Sequence, residues 1–141
     1  MCFALLQANY TKTGGIVTDN GTGLMWQDDF ADNGGSIKMT NWNGAIAYCN
    51  DLNALGYDDW RLPNVNELVS ISDDQDGTEP AINVIFDQTQ FSNFEQVPWF
   101  WSSTTYATST ESAWGVCFLD GHISMHDKAE THRYVRCVRN K

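Results

Sequence analysis

Trp60-Arg61-Leu62-Pro63-Asn64-Val65-Asn66-Glu67-Leu68 is the run around which the chain is organised. Residues 60–62 read as a short buried strand, two large apolar groups around one arginine. Pro63 stops it, because the ring fixes φ and removes a donor. Asn64 is placed to accept from the backbone N–H groups of a first helical turn. Glu67, three residues on, reaches back to the N-cap N–H. Val65, Leu68 and Val69 follow at helical spacing and give that helix an apolar face. A strand running into a capped helix is a packing corner, so Trp60, Arg61, Pro63, Asn64 and Glu67 read as structural. The Arg61 guanidinium has loop carbonyls, or the carboxylates of Asp58, Asp59 or Glu67, to bridge.

Upstream, Ile16-Val17-Thr18 and Leu24-Met25-Trp26 are strand-like runs separated by Asp19-Asn20-Gly21-Thr22-Gly23. Asn-Gly between apolar runs predicts a hairpin. Residues 1–14 are a lead-in without an assignment, and the domain is drawn over residues 15–141. Thr40 or Asn41 caps the clearest helix, whose Trp42, Ala45, Ile46, Cys49 and Leu52 fall on one apolar stripe. Gly56 follows as a left-handed C-terminal cap. Residues 81–86 predict a brief turn of helix and 87–97 a loop.

The second half reads as an antiparallel sheet. Residues 99–103 make one strand; 113–119 make another, with Trp114, Val116 and Phe118 on one face. Asp120-Gly121 turns the chain, 122–125 return as the hairpin partner, and 134–139 form the last strand. Helices followed by strands predict an α+β fold: two main helices packed on a small twisted antiparallel sheet, rich in loops.

The totals narrow the function classes. Eighteen acidic against eight basic residues among 141 give a net charge of −10. Such a surface repels phosphate and sulfate polymers, which argues against nucleic acid. A hydrophobic content of 42% excludes disorder as the default. Six Trp, seven Phe and five Tyr suit a loop-rich domain with a small core, and also stacking on sugars. No run approaches the ~20 apolar residues a spanning helix needs, so membrane insertion is not expected. Residues 1–6 lack the positive start and length of a signal peptide, so export information is expected to lie outside this sequence or in a larger chain. Four cysteines permit two disulfides in three connectivities.

Six blocks then occur in order over about residues 15–140. They are Gly23-Leu24-Met25-Trp26-Gln27; Ala47-Tyr48-Cys49-Asn50; Trp60-Arg61-Leu62-Pro63-Asn64 with Glu67-Leu68; Trp101-Ser102-Ser103-Thr104; Ala113-Trp114-Gly115-Val116 with Asp120-Gly121; and Tyr134-Val135-Arg136-Cys137-Val138-Arg139. Together they resemble the Legionella collagen-like adhesin C-terminal domain family. The resemblance implies a C-type-lectin-like fold, related to the sulfatase-modifying-factor type. It implies a domain at the end of a bacterial surface, secreted or fibre protein that binds glycans or host surfaces and trimerises in some settings. It also implies that Cys49 pairs with Cys137, tying the first helix to the last strand. Cys117 either pairs with Cys2 or stays an unpaired, buried thiol.

Beside that resemblance stand the candidate sites. Asp73, Asp74, Asp76 and Glu79 offer four carboxylates within seven residues, and calcium takes six to eight oxygens. However, Glu79-Pro80 is followed by Ala81, and the Trp-Asn-Asp of calcium-bridging lectins is missing. A solvated acidic turn therefore outweighs a calcium site. His122, His126 and His132 lie near Asp120, Asp127 and Glu130 at spacings that carry little metal geometry. They read better, with Lys128, as polar ligand contacts at the loop end of the sheet. Trp99 and Tyr106 are candidates for stacking on a ligand, whereas Trp101 is assigned to the core.

The expected function is a non-enzymatic extracellular or cell-surface binding module. It presents loops 73–79, 104–112 and 120–133 to a glycan or a partner protein. The adhesin that names the family is associated with sulfated glycosaminoglycans. A charge of −10 disfavours that ligand unless Lys128, Arg133, Arg136 and Arg139 gather into a patch. The alternative is a structural subunit of a surface filament or appendage, a homo-oligomer as trimer or filament. A cysteine-dependent oxidoreductase built on Cys117 and Cys137 is the remote third. No nucleophile elbow or Ser/His/Asp arrangement is readable from residue order.

Overall fold

The computed structural model describes residues 9–73, 80–92, 94 and 96–141. The chain begins with β1 (Tyr10–Thr13), β2 (Ile16–Asp19) and β3 (Leu24–Gln27), followed by the short β4 (Met39–Thr40) and helix α1 (Trp42–Asp51). Helix α2 (Val65–Ser70) comes next. Then come β5 (Trp99–Thr105), β6 (Ser112–Cys117), β7 (Ile123–Asp127), β8 (Arg133–Tyr134) and β9 (Val138–Asn140). They form a four-stranded sheet in the order β1-β2-β3-β9 and a five-stranded sheet in the order β4-β8-β5-β6-β7.

This corrects the expected fold class. Among the described residues the protein is mostly β, with two sheets and one substantial helix of ten residues, not two main helices on one small sheet. The second helix has only six residues. Its capping box forms as the sequence suggests: Glu67 N–H donates to Asn64 Oδ1, and Asn64 N–H donates to Glu67 Oε1, both at 2.8 Å. The far end is closed by serines. Ser70 and Ser72 donate hydroxyl hydrogen bonds to the Glu67 and Val69 carbonyls, and Ser72 already bridges to Ile82. Hydroxyls that compete for backbone carbonyls favour helix ends over helix interiors.

Other expectations change too. Residues 60–62 are not a strand; Arg61 makes a single two-way bridge to Val138, with N···O distances of 2.8 and 2.9 Å. Residues 81–86 contain no helix, and Ile82 is held instead by its bridge to Ser72. Gly56 does not cap α1, which ends at Leu52. Gly56 lies with Leu55 in a left-handed turn (φ 85° and 59°) that bridges Ala54 to Tyr57. Tyr10–Thr13, read as lead-in, pairs with β2 across Gly14-Gly15. Both glycines have positive φ (56° and 83°), as a two-residue hairpin turn of this hand requires.

The expected final strand is in fact two. Tyr134 pairs in parallel with Phe100 in the second sheet, while Val138 pairs with Trp26 in the first. Between them Val135 N–H donates to the Lys38 carbonyl, and Cys137 N–H to the Gln27 side chain. This run crosses from one sheet to the other and is buried throughout. Two cores lie on either side of the second sheet. One joins Trp26, Leu68, Phe86, Phe100, Val116 and Phe118. The other joins Ala45, Cys49, Trp60, Leu62, Trp101 and Cys137. Cys49 and Cys137 are disulfide-bonded, so α1 is tied to the crossing run.

Candidate functional site

The β6–β7 hairpin builds the outer margin of the second sheet. Its turn is Asp120-Gly121, where Gly121 takes φ 83°. Asp120 accepts the His122 N–H at 3.1 Å, and its other oxygen meets His122 Nδ1 at 2.7 Å. These contacts hold the Asp120 carboxyl below the usual carboxylate range, the His122 N–H foremost. Beyond the turn, Val116 pairs with Ile123 and Trp114 with Met125. Side chains directly opposite in a ladder share a face. Tyr106 closes over Trp114 edge to face, ring centroids 5.1 Å apart. The result is an apolar strip of Tyr106, Trp114, Met125 and Ile123. Its last two members are 48% and 47% exposed.

The opposite face of the same strands carries a different set. His126 lies half-buried between Trp99 at 4.5 Å and Trp101 at 6.3 Å, ring centroid to centroid. Its Nδ1 accepts from Arg133 Nε at 3.3 Å. Burial, and then the Arg133 charge, push the imidazole down from 6.5 to about 4. The Lys128 ammonium sits 3.9 Å above the Trp42 ring and donates to Thr105 Oγ1 at 2.9 Å.

The sequence-predicted ligand residues are thus not one cluster. Trp99, His126 and Lys128 face the α1 side, Tyr106 faces the other, and His122 and His132 are exposed at separate turns. Trp101 is fully buried. Of the four acidic-loop residues, Asp74, Asp76 and Glu79 lie outside the described residues. Asp73 donates its backbone N–H to the Ala81 carbonyl at 3.0 Å. Among the described residues no group of three His, Cys, Asp or Glu is arranged to hold a metal ion. Cys2 also lies outside the described residues, so the pairing offered for it with Cys117 does too. Among the described residues Cys117 has no disulfide partner, and its thiol is buried.

The structural set behaves as a lock on the C-terminal strand. Arg61 meets both Glu67 oxygens at 2.8 Å and also donates to Asn140. Hydrogen bonding to Arg61 holds the Glu67 carboxyl below its ordinary range. Trp60 is buried and donates to the Ala54 carbonyl at 3.2 Å.

Sequence reasoning passed over Ile123 and Met125. The signal was present: Ile123-Ser124-Met125-His126 alternates apolar and polar on a terminal hairpin strand, so its apolar side needs a neighbour. A second feature is an open cleft of about 610 Å³ along α1, with Lys38, Tyr48, Asp51 and Asn53 in its lining. The Tyr48 hydroxyl donates to Asp32 at 2.6 Å and accepts from Gln27 at 3.0 Å. Burial and that carboxylate raise its pKa well above the ordinary phenol value.

A family model described as the Lcl C-terminal domain matches residues 15–139. No curated protein matches the chain.

Proposed function

The chain belongs to the Lcl C-terminal domain family, and from that premise we propose that it is a non-enzymatic adhesin-type module, displayed outside the cell, that recognises a partner protein. One observation carries the choice of partner. Ile123 and Met125 are about half exposed on a sheet-edge strand, side by side with Trp114. Single exposed apolar residues are ordinary, but a contiguous row of them marks an interaction surface. Sugar platforms need a flat, open ring rimmed by hydrogen-bonding groups. Here the Trp114 ring is engaged edge to face with Tyr106 and stands beside methionine and isoleucine rather than hydrogen-bonding groups, which suits protein side chains better.

Charge supports the same reading. Arg136 is buried on Asp28, Arg139 is paired with Asp59, Lys128 lies on Trp42, and Arg133 is turned to His126. The four cations do not gather into a patch for a sulfated polymer. An oxidoreductase role is disfavoured because burial raises the Cys117 thiol above its ordinary value, leaving little thiolate.

The test is binding of the labelled chain to cell surfaces stripped of protein or of glycan. Protease treatment, or the double substitution Ile123→Ser with Met125→Ser, is expected to abolish binding, while glycosidase treatment leaves it. Binding that survives protease and falls with glycosidase overturns the reading, as does retention on heparin above physiological salt.

A neutral glycan in the α1 cleft is the second reading, favoured by the aromatic Tyr48 sharing that cleft's lining with a lysine, carboxylates and an amide. A glycan array run with calcium and again with chelator, comparing Asp51→Ala with the parent, tests it.

A further inference from the structure

β7 ends the second sheet, and among the described residues nothing pairs with its far side. The register determines which of its backbone groups face outward. Cys117 N–H donates to the His122 carbonyl at 2.8 Å, and Lys128 N–H to the Glu111 carbonyl at 2.9 Å. Between those two bonds, Gly115 stands opposite Ser124 and Ala113 opposite His126. Hydrogen-bonded and non-bonded pairs alternate along an antiparallel ladder. Ser124 and His126 therefore bond to β6, while Ile123 and Met125 turn their N–H and C=O groups away from it. Asp127 is next in the outward row, but its carbonyl already accepts the Glu130 N–H at 3.0 Å.

Natural sheets protect such edges with proline, lysine, a bulge or a cover. β7, Ile123-Ser124-Met125-His126-Asp127, has neither proline nor lysine, and its ladder with β6 runs without a register shift. The open backbone row and the exposed apolar side chains belong to the same two residues.

We propose that β7 is a strand-addition site, where an extended segment of a partner protein pairs with Ile123 and Met125 as a further strand of the second sheet. This rests on the partner-protein reading above. Backbone bonds supply affinity in such complexes, and alternate side chains supply specificity. The edge asks for apolar residues at every second position of the partner, on the side of Trp114, Met125 and Ile123. Exposed Asp120 and Asp127 flank the edge at its two ends and ask for cationic residues at both ends of the partner segment. A second copy fits poorly, since each brings a net charge of −10.

The experiment uses the full chain and a synthetic peptide, Arg-Val-Thr-Val-Thr-Val-Arg. Hydrogen exchange is read at single amides. The peptide is expected to slow exchange at Ile123 and Met125 by about ten-fold or more, with much smaller changes at Ser124 and His126, which are already bonded. N-methylation of alternate peptide amides is expected to abolish the effect, and glutamate in place of both arginines to weaken it. Unprotected Ile123 and Met125 amides, or an N-methylated peptide that binds equally well, overturn strand addition. If the double serine variant nevertheless loses cell-surface binding, the partner-protein reading stands and only the mode of binding falls. If that variant keeps cell-surface binding, the underlying reading falls.

Discussion

Arg136 and Asp28 form an ion pair sealed from solvent, with Nη1 2.9 Å from Oδ1 and neither side chain exposed. Arg136 also donates to the Gln27 carbonyl at 2.6 Å and lies over the rings of Phe30 and Phe86. Asp28 in turn accepts the Asp87 N–H at 2.9 Å and pairs with Lys12 at 2.6 Å. One charge pair thus joins β1, the end of β3, the loop at Asp87 and the run that crosses between sheets. Arg136→Met leaves a buried carboxylate short of a partner, and Asp28→Asn leaves a buried guanidinium short of a counter-charge. Each is expected to cost on the order of 3–5 kcal/mol in urea unfolding. The joint replacement should cost less than the two losses added, because the groups are in contact. Strict additivity would show that the pair is not coupled.

The Cys49–Cys137 bond closes a loop with a sequence separation of 88 residues. Crosslinking so long a loop removes freedom from the unfolded chain, worth about 4–5 kcal/mol. Replacing both cysteines with alanine should lower unfolding free energy by roughly that amount, with a small addition for lost packing. A loss below about 1 kcal/mol would mean that the reduced, unfolded chain already keeps α1 near the crossing run.

How much of this was legible follows from the reach of each signal. The stripe of α1, the Asn64/Glu67 capping box and the two hairpins after residues 18 and 119 are local patterns, and they are present. β1 carries no such pattern, since Thr11, Lys12 and Thr13 are all exposed and do not alternate. α2 stays short because the Ser70 and Ser72 hydroxyls bond back to the Glu67 and Val69 carbonyls and close it, a feature its apolar positions do not announce. The switch between sheets within residues 134–138 was invisible, because every one is buried and the partners that divide them, Lys38 and Gln27, are about a hundred residues away. At the site, residue types pointed to histidines and a lysine. Topology turned His126 and Lys128 toward α1, left His122 and His132 at separate turns, and put the alternate apolar residues of β7 outside.

His126 gives a pH signature. Its folded imidazole titrates near 4, against 6.5 ordinarily. Between those values the unfolded chain binds a proton that the folded chain refuses, so this group's contribution to stability is complete above 6.5 and is lost as pH falls. The ring is only half-buried, so solvent screens part of the effect. It is faced by Arg133 from β8, Trp99 and Trp101 from β5, Gly115 from β6 and Glu130 from the following loop. Thermal midpoints at pH 7 and pH 5 should converge in His126→Gln relative to the parent. An unchanged pH dependence would assign the loss to other groups.

Cys117 supplies a kinetic measure. It is 2% exposed, and burial raises its thiol pKa. Iodoacetamide at pH 8 should therefore label it only as fast as the protein opens, and urea below the unfolding midpoint should accelerate labelling in parallel with unfolding. Cys117→Ser should leave cell-surface binding unchanged. Rapid labelling of the native protein, or loss of binding in that variant, would return the thiol to the functional residues.

Gly44 reverses the usual expectation for a helical glycine. Glycine-to-alanine within a helix ordinarily stabilises by about 1 kcal/mol. Gly44 occupies the first turn of α1, and its N–H donates to the Asn41 cap at 2.8 Å. A methyl group there meets Thr40 Oγ1 in hard overlap and stands 3.0 Å from Asn41 Oδ1, the atom that caps the helix. The Thr40 backbone is held, paired with Arg133 in β4–β8 and accepting the buried Trp101 indole N–H at 2.9 Å. Thr40 can therefore yield only by rotating its side chain, which leaves its Cβ and the Asn41 cap crowded. Gly44→Ala should therefore destabilise, by about 1 kcal/mol for the lost cap together with a term for displaced backbone. The Trp101 fluorescence maximum should shift as its hydrogen bond is disturbed. Pairing Gly44→Ala with Thr40→Ala removes the obstructing hydroxyl and should recover part of the loss. If the single variant is as stable as the parent, the Thr40 side chain rotates away at no cost and the crowding argument falls.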